Sequence, residues 1–283
     1  MRPDRVGLGW RPALAAGIFD ALDRIDLLEV IADDYLDAGR RERQALKIIA
    51  RRMPMHLHCI ALGMAGAEGV ATQRLDRLGR LVNDIEPEAW SEHLAFVRAG
   101  GTEIGHLAAP PRTEASVEGA ARNLRKAANI VGAIPLMENI ATLIEPPCST
   151  LSEPAWISNI LAASGCALLL DLHNLYANAV NFGLDPMQYL SELPLDRIGC
   201  VHIAGGRWIK APNGTKHYLL DDHLHEVTGP VYELLAEVAA RTAQELTVVL
   251  ERDGAFPPMA VLLDELDRTR AALAAGRRRR LEA

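Results

Sequence analysis

Short apolar runs rich in Val, Ile and Leu alternate along this chain with longer stretches of helical period, and that alternation constrains the fold more than any other feature. The runs fall at 6–10, 27–32, 55–59, 90–96, 134–139, 166–174, 198–205 and 246–253. A run this short that is apolar on both faces fits a strand covered on both sides, as in a parallel sheet. Parallel neighbours need a crossover, and the stretches at 113–131, 153–163, 227–243 and 258–275 have the spacing of crossover helices. Eight β/α units in about 250 residues predict an α/β fold of one closed (β/α)8 TIM barrel. The competing arrangement, an open doubly wound sheet, lacks its usual mark: no G-x-G-x-x-G follows the first run, where Gly7-Leu8-Gly9 is too short a match. The pieces rich in Pro and Gly at 100–112, 145–154 and 212–215 fall where loops between barrel units belong. We therefore expect one barrel domain over 1–275 and a flexible basic tail over 276–283 containing Arg277, Arg278, Arg279 and Arg280.

Composition narrows the function classes. With 49% hydrophobic and 24% charged residues the 283-residue chain has a globular profile, and a net charge of −7 argues against a general nucleic-acid binder. No apolar run approaches the roughly 18 residues of a membrane span, and the start MRPDRVGLGW lacks a secretory apolar stretch, so a cytoplasmic protein without membrane or DNA partners is expected. Cys59, Cys148, Cys166 and Cys200 form no C-x-x-C pair and read as free thiols, with Cys59 buried toward the helices.

Polar residues that such strands normally exclude gather at their C-terminal ends, the face on which barrel enzymes carry their active sites. The third run ends in His56-Leu57-His58, the fourth contains Ser91-Glu92-His93, the fifth ends in Glu138-Asn139 and the sixth in Asp171-Leu172-His173-Asn174. The seventh carries His202, Asp221-Asp222-His223-Leu224-His225 follows it, and the eighth ends in Glu251-Arg252-Asp253. Strand alternation puts His56 with His58, Asp171 with His173, and Glu251 with Asp253 on shared faces. His58 then sits at the mouth and His56 one layer deeper, as a hydrogen-bonded core histidine. Glu138, Asp171, Asp221 and Glu251 crowded into one cleft would repel one another and be costly to desolvate unless cations were bound among them. Interleaved histidines make metal ions the natural solution, and a set without thiolate suits zinc, iron or manganese. The candidate ligands His58, His93, Glu138, Asp171, His173, Asn174, His202, Asp221, His223 and Glu251, at about four to six per ion, leave room for two or three ions.

The order His58, His93, Glu138, Asp171, His202, Asp221-x-His223, Glu251 resembles the trinuclear site of the endonuclease IV and xylose isomerase-like barrels. In that pattern one metal takes His58, His93 and Glu138, and a second takes Glu138, Asp171, His202 and Glu251. A third takes Asp221, His223 and a residue after the sixth strand. The endonuclease motif has histidine three residues after the aspartate, where this chain has Asn174, with His173 one place earlier. The pieces SEHLAF (91–96), LMEN (136–139), LLLDLHNLYANAVNFGLDP (168–186), VHIAGG (201–206), LLDDH (219–223) and LERD (250–253) resemble the multinuclear non-haem iron-dependent oxidative enzymes, the group of methanobactin biosynthesis protein B. The likeness runs from about residue 7 to 263, with Asp33-Asp34-Tyr35 standing where the family often has Glu-Asn-Tyr, and Cys59 where glycine is frequent.

That resemblance implies oxidative modification of a ribosomally synthesised precursor peptide, commonly at cysteine, in natural-product biosynthesis. It implies two or three iron ions, mixed Fe(II) and Fe(III), with O2 as co-substrate, and Glu138, Asp171 and His202 at the catalytic centre. Asn139, Asn178 and Asp253 are candidates to orient the ligands. The loops 97–113, 140–152 and 205–226, with Trp208, Lys210, Lys216 and His217, are candidates to grip the peptide, and the family implies a separate partner protein that binds its leader segment. Two alternatives use similar ligands: a zinc phosphodiesterase of endonuclease IV type, which the acidic charge disfavours, and a divalent-metal sugar isomerase or epimerase.

Overall fold

The computed structural model describes residues 3–282 apart from 212, 213 and 215. The piece 212–215 thus lies, except for Gly214, outside the described residues. The strands are β1 (Arg5–Gly9), β2 (Leu28–Ile31), β3 (Met55–His58), β4 (Ala89–His93), β5 (Phe96–Ala99), β6 (Thr102–Ala108), β7 (Leu136–Glu138), β8 (Ala167–Asp171), β9 (Ile198–Ile203), β10 (Gly206–Lys210), β11 (His217–Asp221) and β12 (Thr247–Leu250). Eight of them close a parallel barrel in the order β1-β12-β9-β8-β7-β4-β3-β2, so the fold is the expected (β/α)8 TIM barrel. Each of the eight runs supplies one barrel strand. Their residues are buried on both faces because the interior of the barrel takes one set and the helices take the other.

The helices are α1 (Ala15–Asp20), α2 (Asp33–Leu36), α3 (Arg40–Ala50), α4 (Thr72–Ile85), α5 (Glu114–Val131), α6 (Glu153–Ser164), α7 (Leu172–Phe182), α8 (Pro186–Ser191), α9 (Gly229–Arg241) and α10 (Met259–Glu282). Local chemistry starts and stops them. Thr113 caps α5 by accepting from the Ser116 N–H, and Ser152 caps α6 through Ala155 N–H. Gly132, at φ 84°, closes α5 in the left-handed conformation that a side chain would strain. Among the described residues no helix is long and apolar enough to cross a membrane.

Three features differ from expectation. The sixth strand ends at Asp171, whose side chain accepts from Asn174 N–H at 2.6 Å and starts α7, so His173 and Asn174 lie on a helix rather than a strand. The shared strand face expected for Asp171 and His173 therefore does not exist. The loops after β4 and β9 fold into two-stranded antiparallel hairpins, β5–β6 and β10–β11. The basic segment from 276 to 282 continues α10 instead of fraying: Arg277 bonds Asp4 at 2.6 and 2.9 Å and the carbonyls of Ala239, Thr242 and Gln244, while Arg278, Arg279 and Arg280 stay exposed.

Contacts group the chain into two compact units, one of 29–140 with 144–169, the other of 1–28 with 141–143 and 170–283. Each carries its own part of the ligand set.

Candidate metal centre

In the unit of β2 to β7, the ladder register pairs His58 with Ser91 and His93 with Glu138, so neighbouring strand ends present three candidate ligands together. His58 Nε2 lies 3.4 Å and His93 Nε2 3.3 Å from Glu138 Oε2. The two rings meet edge to face with centroids 4.6 Å apart, and all three residues are buried. One donor atom of each lies within 4.8 Å of the others, the span of a single metal shell. Around them the chain fixes ring orientation. Ser91 Oγ holds His58 Nδ1 at 2.8 Å, which turns Nε2 toward Glu138. Glu92, fully buried, accepts from the Leu62 and His93 backbone N–H groups at 2.9 Å each and lies 3.4 Å from His93 Nδ1. Burial pushes its carboxyl pKa up despite those bonds. Asp33 accepts from Ile60 N–H at 2.8 Å and so pins the turn after His58.

His56 is buried with Nε2 4.0 Å from Glu88, as a core histidine should be. Cys59 is a buried free thiol, its pKa held well up by burial and by the Glu92 and Asp33 carboxylates. All four cysteines are free, and Cys148 alone of them is exposed.

In the other unit Asp171, His202 and Glu251 each offer a donor atom, again within 4.8 Å of one another. His202 Nδ1 is 3.0 Å from Glu251 Oε2, both side chains being buried. Next to them stands a second acid–imidazole group. His223 Nε2 is 2.8 Å from Asp221 Oδ1, and His173 Nε2 is 3.7 Å from the same oxygen. His223 adopts a left-handed backbone, φ 54°, a conformation rare outside glycine. Two contacts keep it there: Asp253 N–H donates to the His223 carbonyl at 3.0 Å, and Asp253 Oδ2 sits 3.1 Å from His223 Nδ1. Arg11 in turn holds Asp253, its Nε 3.1 Å from Oδ1. Burial works to strip the His223 charge, but the Glu251 and Asp221 carboxylates and the bonds to Asp221 and Asp253 outweigh it and raise the pKa well above the ordinary histidine value. Arg252, buried, ties Glu265 at 3.0 Å, and Glu265 accepts from Val227 N–H at 2.7 Å, so the segment after His223 is anchored too.

His173 is fully buried and neither ring nitrogen makes a well-formed hydrogen bond among the described residues. Burial holds its pKa below the usual value, so the ring is neutral and able to ligate. Gly206 makes room for it: a Cβ at that position would stand 2.5 Å from His173 Nε2. Asn174 donates its backbone N–H to Asp171 at 2.6 Å, and its side chain is buried. Asn178 Oδ1 accepts from Thr142 N–H at 2.8 Å and steadies that loop. His225 pairs with Asp222 on the surface and has no part in the set.

These donors are all nitrogen and oxygen, and among the described residues the buried ring nitrogens of His173 make no well-formed hydrogen bond. Water-excluded acids and imidazoles of this kind fit divalent or trivalent cations, whose charge replaces lost hydration. Sequence reasoning named the donor residues that gather here but missed Glu92, Arg11 and Gly206. Glu92 alone carried a signal, the acid inside Ser-Glu-His.

Comparison with known proteins gives the family and the fold. The model of a family described as RiPP precursor modification enzyme MbnB/TglH/ChrH matches residues 5–274. A UPF0276 protein of Streptomyces avermitilis is 36% identical over 277 residues, covering 94% of this chain and 54% of that protein, so the chain spans about half the length of that relative. A UPF0276 protein of Caulobacter vibrioides is 32% identical, covering 99% of this chain and 98% of that one. In fold the chain is similar to a xylose isomerase-like TIM barrel protein of Mycobacterium smegmatis, solved in complex with magnesium, with TM-score 0.64, 9% identity and 98% and 99% of the two chains covered.

Proposed function

This chain belongs to the family of RiPP precursor modification enzymes MbnB/TglH/ChrH, and from that premise we propose that it oxidises a ribosomally made precursor peptide, at cysteine, using two or three irons and O2. The observation that carries the proposal is the pair of buried donor groups, His58, His93, Glu138 and Asp171, His202, Glu251, all nitrogen and oxygen. We assign the first ion to His58, His93 and Glu138, and the second to Asp171, His202 and Glu251. Asp221, His223 and His173 hold a third. When bound, the irons supply electrons to O2 and a Lewis-acidic seat for a substrate thiolate.

The chain's own residues do the rest. Ser91 sets the orientation of His58, Glu92 that of His93, and Asp253 that of His223, each through an imidazole nitrogen or backbone bond already described. Burial of the donor groups keeps water away from the reacting centre. We further propose, as the family resemblance implies, that a separate partner protein binds the leader segment.

Metal analysis and Mössbauer spectra of anaerobically purified protein test the proposal, together with mass spectrometry of synthetic peptides encoded by short reading frames beside the gene. Two or three irons per chain and an O2-dependent mass change in one peptide are expected. Stoichiometric zinc that survives iron supplementation, with no peptide altered, would overturn it.

A further inference from the structure

Among the described residues, the β10–β11 hairpin has one edge already taken, by Asn181, and one edge without a backbone partner. In an antiparallel pair, the N–H and C=O of a given residue point to the same side, and residues alternate between facing the partner strand and facing away. Asn181 on α7 uses its side-chain amide as a substitute strand: Leu219 N–H donates to Asn181 Oδ1 at 2.8 Å and Asn181 Nδ2 donates to the Leu219 carbonyl at 3.0 Å. Leu219 therefore turns its backbone away from β10. Its partner across the ladder is Trp208, which by the same alternation turns its own N–H and C=O outward, as do Gly206 and Lys210. The bond from Ala211 N–H to the Lys216 carbonyl, one step beyond Lys210, fits this parity.

From these contacts we infer that the outer edge of β10 receives the precursor peptide as an added strand, Gly206 to Lys210 pairing with its backbone. The inference rests on the peptide-modifying reading above and adds where and how the substrate lies. Two further observations favour a peptide here. Trp208 is 55% exposed and offers a broad apolar platform on the edge strand itself, where bare edges are usually blunted. Cross-strand partners share a face, so Trp208, Gly206 and their partners Leu219 and Asp221 are on one side of the hairpin. That side carries the Asp221 carboxylate, and Gly206 is the residue whose Cβ would press on His173. A strand on this edge runs from the exposed tryptophan to the acid–imidazole group over about three residues, roughly 10 Å at strand rise. Main-chain pairing supplies affinity without demanding one sequence, and side-chain alternation presents every second residue to the Asp221 face.

Synthetic peptides encoded by the short reading frames beside the gene, titrated onto the iron-loaded protein by fluorescence anisotropy, test this. Trp208→Pro removes an outward N–H that the hairpin ladder does not use, and Trp208→Ala removes only the platform. We expect Trp208→Pro to weaken binding of a peptide at least tenfold with iron content unchanged, and more than Trp208→Ala does. A second measurement leaves the protein intact: single N-methylation along the peptide should abolish binding at alternate positions and be tolerated between them. Wild-type affinity in Trp208→Pro, or N-methyl effects without a period of two, overturns the edge. If a peptide is still oxidised in that case, the peptide-modifying reading stands; if wild-type protein neither binds nor alters any of the peptides, both fall.

Discussion

Replacing Asp253 by alanine tests whether a single carboxylate outside the ligand set controls one ion. The Asp253 carboxylate lies 3.1 Å from His223 Nδ1 and is itself held by Arg11. Its backbone N–H to the His223 carbonyl survives the substitution, so the left-handed turn at His223 persists and the change acts on the ring alone. Loss of an outer carboxylate that orients a ligating histidine lowers metal affinity by about 10- to 100-fold, which is about 1.4 to 2.8 kcal/mol. The loss should fall on the ion assigned to Asp221, His223 and His173. The His202–Glu251 contact at 3.0 Å and the His58–His93–Glu138 group do not run through Asp253. Anaerobic protein loaded with Fe(II) and challenged with increasing chelator should release one iron at a concentration that leaves the wild type intact, with Mössbauer spectra showing which remain. Arg11→Ala, which removes only the support of Asp253, should shift the same release by a smaller factor. Identical chelator curves for Asp253→Ala and wild type would refute the reasoning.

His173→Asn should lower the affinity for that same ion by at least tenfold, whereas Asn174→Ala, which keeps the backbone N–H that caps α7, should lower it by less; iron titration of both variants separates the two residues. Glu92→Ala strips the acceptor from two buried N–H groups, each worth about 1–3 kcal/mol when left unmet. Relief of a buried carboxylate offsets part of this, so urea unfolding of the metal-free protein should show a net loss of about 1–4 kcal/mol. The pH dependence follows from His223. Its folded pKa is raised above 6.5, so its contribution to the metal-free protein is complete below that value and is lost as pH rises through the raised pKa. Thermal melts of metal-free protein should therefore fall with increasing pH above 6.5, and His223→Gln should flatten that slope. Binding of the ion needs the neutral ring, so its affinity should rise over the same range.

The barrel was legible because its eight strands are apolar on both faces, a pattern that few other elements share. The hairpins were not. β6 reads TEIGHLA and is exposed along most of its length, and β10 is half-buried only at Gly206 and Ile209, three residues apart, and exposed elsewhere. A pair of strands that buries a single residue, Val97 on β5 or Leu219 on β11, leaves no periodic signal, and its register comes from the ladder and, for β11, from a side chain 38 residues away in sequence, Asn181. The candidate ligands were legible as residue types at strand ends, since charge there is hard to explain otherwise. Their supports were not: Arg11 meets Asp253 across 242 positions, and nothing in either neighbourhood announces the other.

The sixth strand shows why spacing alone misplaced one ligand. The stretch 166–174 looks like one strand, and alternation would then carry His173 on the face of Asp171. An aspartate whose carboxylate can accept the N–H three residues on is also a helix cap, and here the cap prevails: β8 stops at Asp171 and α7 starts at once. The period changes from 2 to 3.6 between adjacent residues. His173 now projects toward Gly206 and Asp221, and Asn174 spends its N–H on the cap. The same carboxylate thus does two jobs: Oδ1 starts the helix, and the side chain still joins His202 and Glu251 in the donor group. Substituting Asp171 therefore perturbs the assigned second ion through a lost ligand and the assigned third through a displaced His173, whereas substituting His202 should act on the second alone.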